Sequence, residues 1–340
     1  MNKLYHIICI FFIGNREAAS ALRSGTGTEI RFIPSCCVLL EKRFGSRRAL
    51  KKEVMSMKAG FIGAGKVGFS LGKYLKERGT ELTGYYSRSS RSAIEAAEFT
   101  DTKSYENLAD IVNDSDTLFI TVPDGAIGTV WEELRNLPIK DKNICHCSGS
   151  ISSTVFFDAE EKGASAYSIH PIYAINDKEK SYKELEKAYF SMEGSDNHLK
   201  QMKELFQSFG NKVIVISKDK KSLYHCAAVT VSNHIAALAD LGISMLIECG
   251  FQREEAKEAL APLLEGNARS VAMLGPEKAL TGPVERGDTL TVEGHLRALK
   301  DVGEKQELIY RLLSDRLIEI AHKKHPDRDY EPLEKIIRIV

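Results

Sequence analysis

Three glycines, Gly63, Gly65 and Gly68, stand at the spacing of a loop that cradles a pyrophosphate. Each has a separate role. Gly63 permits a sharp turn out of a strand. Gly65, lacking Cβ, lets backbone N–H groups approach a phosphate. Gly68 lets a helix pack closely on the strand before it. Lys66 and Val67, between them, open the helix whose unpaired N–H groups and positive dipole end would face the anion. These five residues are the first candidate binding set.

The elements needed to position that loop are present. Ala59–Ile62 is a short apolar run, and Val67, Leu71, Tyr74 and Leu75 recur at helical spacing until Gly79. A second strand, "ELTGYY", ends in Ser87-Arg88-Ser89-Ser90-Arg91. A nucleotide with a free ribose 2′-hydroxyl calls for an acid at that strand end, and there is none. A 2′-phosphate matches arginine and serine hydroxyls instead. Ser87, Arg88 and Ser89 are therefore assigned to NADP rather than NAD; the other reading is a solvated loop with incidental arginines.

Alternation of helical and strand patterns continues. Strands are expected at "DTLFITVPDGAI", "NICHCSG" and "GASAYSIHPIYAI", with helices between, then strand, helix and strand to about Ser217. This is an α/β pattern: a parallel sheet covered on both faces. Ligands bind at the carboxyl ends of such strands, which places Val122, Pro123, Ser148 and His170 near the reactive end of the nucleotide.

Beyond Ser217 the pattern turns all-helical. The segment from about Lys221 to Glu248 reads as one long helix, apolar almost all round and so expected to be buried. Ser222, His225, Ser232 and Asn233 fall broadly along one side of it, a candidate site facing the first domain. The alternative is that they bond to neighbouring helices. The polar loop Thr281–Asp288 follows, with Arg286 placed to hold a substrate carboxylate or to pair with Asp288. Thr289 or Thr291 is the expected cap of the next helix. Ser232, Thr281, Arg286 and Asp288 form the candidate substrate-binding set.

The 340 residues balance to zero net charge, which gives no reason to expect nucleic acid. No run of about 18 apolar residues is evident, so no membrane span is expected. Residues 1–56 carry +6 and the remainder −6, a break that suggests two origins. "LYHIICIFFIG" after Lys3 allows a signal-peptide reading, without a clean cleavage site. A different reading is favoured. Lys52-Glu53-Val54 can be encoded by a ribosome-binding sequence, with Met57 a short spacer downstream. Residues 1–56 are then a non-native or disordered extension, a point the coding DNA tests. The expected division is 57–217 for nucleotide binding and 218–340 for a helical domain. Seven cysteines show no framework or metal spacing, Cys145 and Cys147 included, which fits buried thiols in a reducing cytoplasm and no metal site.

The stretches "GFIGAGKVG", "TVPDGAI", "HCSGS", "SIHPIYAI", "YHCAAVTVSNH" and "LTGPVERGDTLTVEGHLRAL" together resemble a family that joins a Rossmann-like domain to a domain of unknown function numbered 2520. The resemblance spans about residues 58–300. It implies a relative of ketopantoate reductase, pyrroline-5-carboxylate reductase and the hydroxyacid dehydrogenases, with a C-terminal domain like that of 6-phosphogluconate dehydrogenase and a homodimeric assembly. The hydroxyacid dehydrogenases use a lysine with an asparagine one turn later. Here Asn233 matches the asparagine and Val229 stands in the lysine's place. The expected activity is NADP(H)-dependent oxidoreduction of a small carbonyl, imine or hydroxyacid, with His225 or His170 as general acid/base and Asn233 orienting the substrate. The alternative is a non-catalytic NADP(H) sensor or scaffold.

Overall fold

The computed structural model describes residues 57–338, so the readings made for residues 1–56 lie outside the described residues. Eight strands form one sheet in the order β3-β2-β1-β4-β5-β6-β7-β8. They are β1 (Lys58–Ile62), β2 (Glu81–Tyr86), β3 (Lys103–Tyr105), β4 (Thr117–Ile120), β5 (Asn143–His146), β6 (Ser165–Ile172), β7 (Tyr189–Gly194) and β8 (Lys212–Val215). Helices α1 (Lys66–Glu77), α2 (Ser90–Thr100), α3 (Leu108–Asp114), α4 (Asp124–Leu134) and α5 (Asp196–Ser208) cover it. β1 and β4 are short, apolar and almost wholly buried, as strands covered on both faces must be.

Both faces carry a core. On one, Ile62, Ile120, Ile127, Trp131, Leu134, Ile144 and Phe156 pack together. The Phe61 ring stacks on Tyr85 and on Phe119, each at 5.2 Å. The parallel register aligns Tyr105, Tyr86, Ile62, Ile120, His146 and Ser168 in one row. The residues that follow this row therefore emerge along one carboxyl edge: Ser87, Gly63, Thr121 and Val122, Ser148, and His170.

The sheet departs from the all-parallel expectation in one place. β7 pairs antiparallel with β6, Tyr167 against Gly194 through Ile172 against Tyr189. A reversed strand needs no crossover between layers. The connection from β6 contains only a 3₁₀ segment, Ser181–Lys187, and the Ser70 hydroxyl of α1 donates to the Lys178 carbonyl at 3.0 Å. The chain thus turns back on the same side.

Helices α6 (Lys221–Glu248) and α7 (Arg253–Leu274) follow, then short α8 (Pro276–Ala279) and α9 (Pro283–Arg286), α10 (Thr289–Val302), α11 (Glu304–Lys324) and α12 (Glu331–Ile337). The last four share a small core of Val284, Val292, Leu296, Ile318, Tyr330, Leu333 and Ile337. The expectation that α6 is buried is overturned. In the single chain Lys221 is its only buried residue, and Val231 is 75% exposed. An all-round apolar helix has to be covered by something, and the described residues of one copy do not supply the cover. The expectation of no span-like segment is corrected as well. Lys218–Glu248 is long and apolar enough to cross a membrane by length and composition, because its polar residues are mostly uncharged.

Candidate active site

The glycine loop lies at the carboxyl edge as its spacing requires. Gly63 has φ of +107°, and a Cβ there would come within 2.8 Å of the Thr121 carbonyl carbon. At Gly68 a Cβ would meet the Gly63 carbonyl oxygen at 2.5 Å and Thr121 Oγ1 at 2.4 Å, so helix and strands touch through the missing side chain. Thr121 Oγ1 donates to that same Gly63 carbonyl at 2.8 Å. Gly65 instead faces open space, its nearest neighbour being 4.0 Å from a built Cβ. It is the N-cap of α1, and no side chain caps that helix. The free N–H groups are thus left for an anion, beside the exposed Lys66 and the half-buried Val67.

A cavity of about 220 Å³ sits over this loop, lined among others by Gly63, Gly65, Ser87, Arg88, Val122 and Pro123. Six of the residues assigned from sequence to the nucleotide therefore converge. Arg88 is exposed and has no ion-pair partner among the described residues. Ser89 serves the fold: its hydroxyl caps α2, accepting from Ser92 N at 3.3 Å. Ser148 is 7% exposed and donates to Asp124 Oδ2 at 2.8 Å. It tethers the loop after β5 rather than offering a free hydroxyl.

A second cavity, of about 570 Å³, opens between the end of β6 and the first half of α6. His170, Tyr173, His225, Val229, Ser232 and Asn233 are among its lining. The histidines face each other across Gly149, their ring centroids 6.4 Å apart. A Cβ on Gly149 would lie 2.5 Å from His225 Cδ2 and 2.9 Å from His170 Nε2, so glycine is required for this approach. Gly149 follows Ser148, whose hydroxyl bonds to Asp124, the residue after Pro123 of the first cavity.

His170 Nδ1 lies 2.7 Å from the Tyr224 hydroxyl. Burial, with the positive charge of Lys221 and then His225 nearby, pushes the His170 pKa down to about 3. This ring is therefore neutral near pH 7, and the premise that it titrates there is corrected. His146, beneath it on β5, is lowered to about 4 by burial and then Lys221, and its Nε2 has no partner. Burial also raises the neighbouring thiols, Cys147 to about 12. They are buried and unpaired, as free core thiols are.

The Thr281–Asp288 loop is not part of this cavity within one chain. Asp288 caps α10, accepting from Thr291 N at 3.1 Å and from Thr291 Oγ1 at 2.7 Å. The cap is thus Asp288 rather than Thr289 or Thr291. Arg286 faces Asp288 at 4.0 Å, and Thr281 sits between α8 and α9.

Sequence reasoning missed Lys221 and Tyr224. Lys221 is 1% exposed, and its Nζ has no hydrogen-bond partner. Burial lowers its pKa to about 8, against the opposing pull of Glu193. The signal was available: Lys221, Tyr224 and His225 stand at i, i+3 and i+4, one side of a helix.

Residues 47–171 match the model of a Rossmann-like domain, and residues 188–317 match that of a domain of unknown function, DUF2520. The chain carries a Rossmann-like domain joined to a DUF2520 domain. The DUF2520 match begins ahead of β7 and ends within α11, so it takes in the last two strands as well as helices α5 to α10. A protein of solved structure from Thermotoga maritima is 29% identical, with a TM-score of 0.64 over 78% of this chain and 99% of its own. A candidate NADP oxidoreductase from Bacteroides fragilis is 24% identical, with a TM-score of 0.59 over 78% and 98%. A reductive aminase from Aspergillus terreus, solved with NADPH and ethyl-5-oxohexanoate, is 16% identical, with a TM-score of 0.56 over 84% and 100%. No curated protein matches the sequence.

Proposed function

We propose that this chain is an NADP(H)-dependent oxidoreductase acting on a small carbonyl, imine or hydroxyacid. One observation carries the reading: His170, from the end of β6, and His225, Ser232 and Asn233, from α6, line a single cavity. The similarity to a candidate NADP oxidoreductase and to an NADPH-bound reductive aminase agrees with it.

The cofactor would be held by the backbone of Gly63–Gly68, with Arg88 and Ser87 on the ribose phosphate and Val122 and Pro123 along the inner wall. When bound, it supplies the hydride. The chain supplies the rest. Asn233 orients the substrate's oxygen or nitrogen. His170, neutral, offers a hydrogen bond through Nε2, and His225 is the group that exchanges a proton with the substrate. Residues 57–217 would serve nucleotide binding and 218–340 substrate binding and assembly. Arg286, Asp288 and Thr281 take no part from within the same chain.

A homodimer in the cytoplasm completes the reading. Leu223, Val231, Leu263 and Met273 on α6 and α7 are 61–78% exposed, and a second copy of the same hairpin would cover them without recourse to a membrane. Turnover of keto acids and cyclic imines, followed by absorbance of the reduced nicotinamide, tests the activity. The expected result is turnover that His225→Ala abolishes. A folded, NADPH-bound chain that turns over no such compound would favour the non-catalytic sensor instead, and light scattering checks the dimer.

A further inference from the structure

We propose that Tyr224 is a positioning residue: it holds the His170 ring in a single tautomer, with Nε2–H aimed into the cavity. The consequence for turnover rests on the oxidoreductase reading; the tautomer does not.

The geometry starts with the two ends of the His170 ring. Nδ1 is 2.7 Å from the Tyr224 hydroxyl, and the two rings stand at 88° with centroids 5.7 Å apart. Nε2 is at the opposite end, beside Gly149 and the cavity. A buried phenol remains protonated near neutral pH, and burial raises that of Tyr224 further. This O–H is taken as the donor to Nδ1, the other acceptor within its reach being the Ser191 hydroxyl. A neutral imidazole that accepts at Nδ1 carries its hydrogen at Nε2. His170 then presents a donor, never an acceptor, to a substrate oxygen or nitrogen.

Burial comes first in keeping the ring neutral, and the surrounding charges add to it. Lys221 Nζ lies 5.2 Å from the centroid of the Tyr224 ring. His225 faces His170 from α6 and His146 from β5, while Asp124 at the start of α4 opposes them. From β7, Ser191 is buried with its hydroxyl unpartnered, and Glu193 faces Lys221. The Glu193 carboxylate is already committed, accepting from Ser153 N at 2.8 Å and Ser153 Oγ at 2.7 Å. A lysine left buried without a hydrogen-bond partner is costly. Its placement under the tyrosine that holds a cavity histidine gives it a use.

The test is nitrogen NMR of the full chain labelled with ¹⁵N-histidine, with the His170 signals assigned by their loss in His170→Gln. The expected spectrum at pH 7 shows Nε2 protonated and Nδ1 bare. Tyr224→Phe should convert this to a tautomer mixture while NADPH binding persists, and Lys221→Met should raise the pH at which His170 protonates. A wild-type ring protonated at Nδ1, or a tautomer unchanged in Tyr224→Phe, overturns the proposal. Given turnover, Tyr224→Phe should lower kcat about tenfold, the loss of roughly one hydrogen bond, with KM little changed. A shifted tautomer in a chain that has no activity upholds the positioning role and counts against the oxidoreductase reading alone.

Discussion

The substitution Lys221→Met is expected to raise stability rather than lower it. Lys221 is 1% exposed, has no hydrogen-bond partner, and is held at a pKa of about 8 against 10.5 for a free lysine. Each pKa unit corresponds to about 1.4 kcal/mol, so carrying the charge into the fold at pH 7 costs about 3 kcal/mol. Methionine fills a similar volume without that cost. The sign follows from proton counting. Between the folded value near 8 and the unfolded value near 10.5 the unfolded state holds more protons, so wild-type stability rises with pH across that window. Lys221→Met lacks that rise. Urea unfolding followed by circular dichroism should show the variant more stable at pH 7, with the gap narrowing by about 2 kcal/mol at pH 9.5. A variant less stable than wild type at both pH values would refute the reasoning. It would mean that attraction to Glu193 outweighs burial, and that the lysine is there for stability.

Gly149→Ala should cut turnover on the order of a hundredfold, because its Cβ would displace both cavity histidines; NADPH affinity, measured alongside, should change little. Gly68→Ala should lower stability by about 1–3 kcal/mol, since α1 has to move off Thr121, and thermal melting checks this. Acidification from pH 6.5 to 4 should weaken the fold. His146 and His170 are depressed to about 4 and about 3, so the unfolded state takes up their protons first and the stability present above pH 6.5 is lost on the way down. His170→Gln should make that pH slope shallower.

The geometry of the glycine loop was legible because a tight turn and a closely packed helix each demand glycine at a fixed spacing. Ser87 and Arg88 followed from the position of the β2 terminus, and His170, His225, Ser232 and Asn233 do line one cavity. Ser89 has a structural use that the spacing did not show, because a serine at the start of a helix serves its own backbone as readily as a ligand. The antiparallel β7 was not legible, since its pattern of buried residues is the same in either direction. The exposure of α6 was missed because apolar content cannot distinguish a core from a face that awaits a partner. Lys221 and Tyr224 escaped notice because a lysine near a helix start normally reaches solvent.

The central claim is most directly tested by titrating the full chain with NADPH and with NADH, followed by nicotinamide fluorescence. The account predicts NADPH binding at least about tenfold tighter, the worth of one charge-assisted contact from Arg88, and a gap that Arg88→Ala closes. Equal affinities, or no binding of either nucleotide by the folded protein, would contradict it.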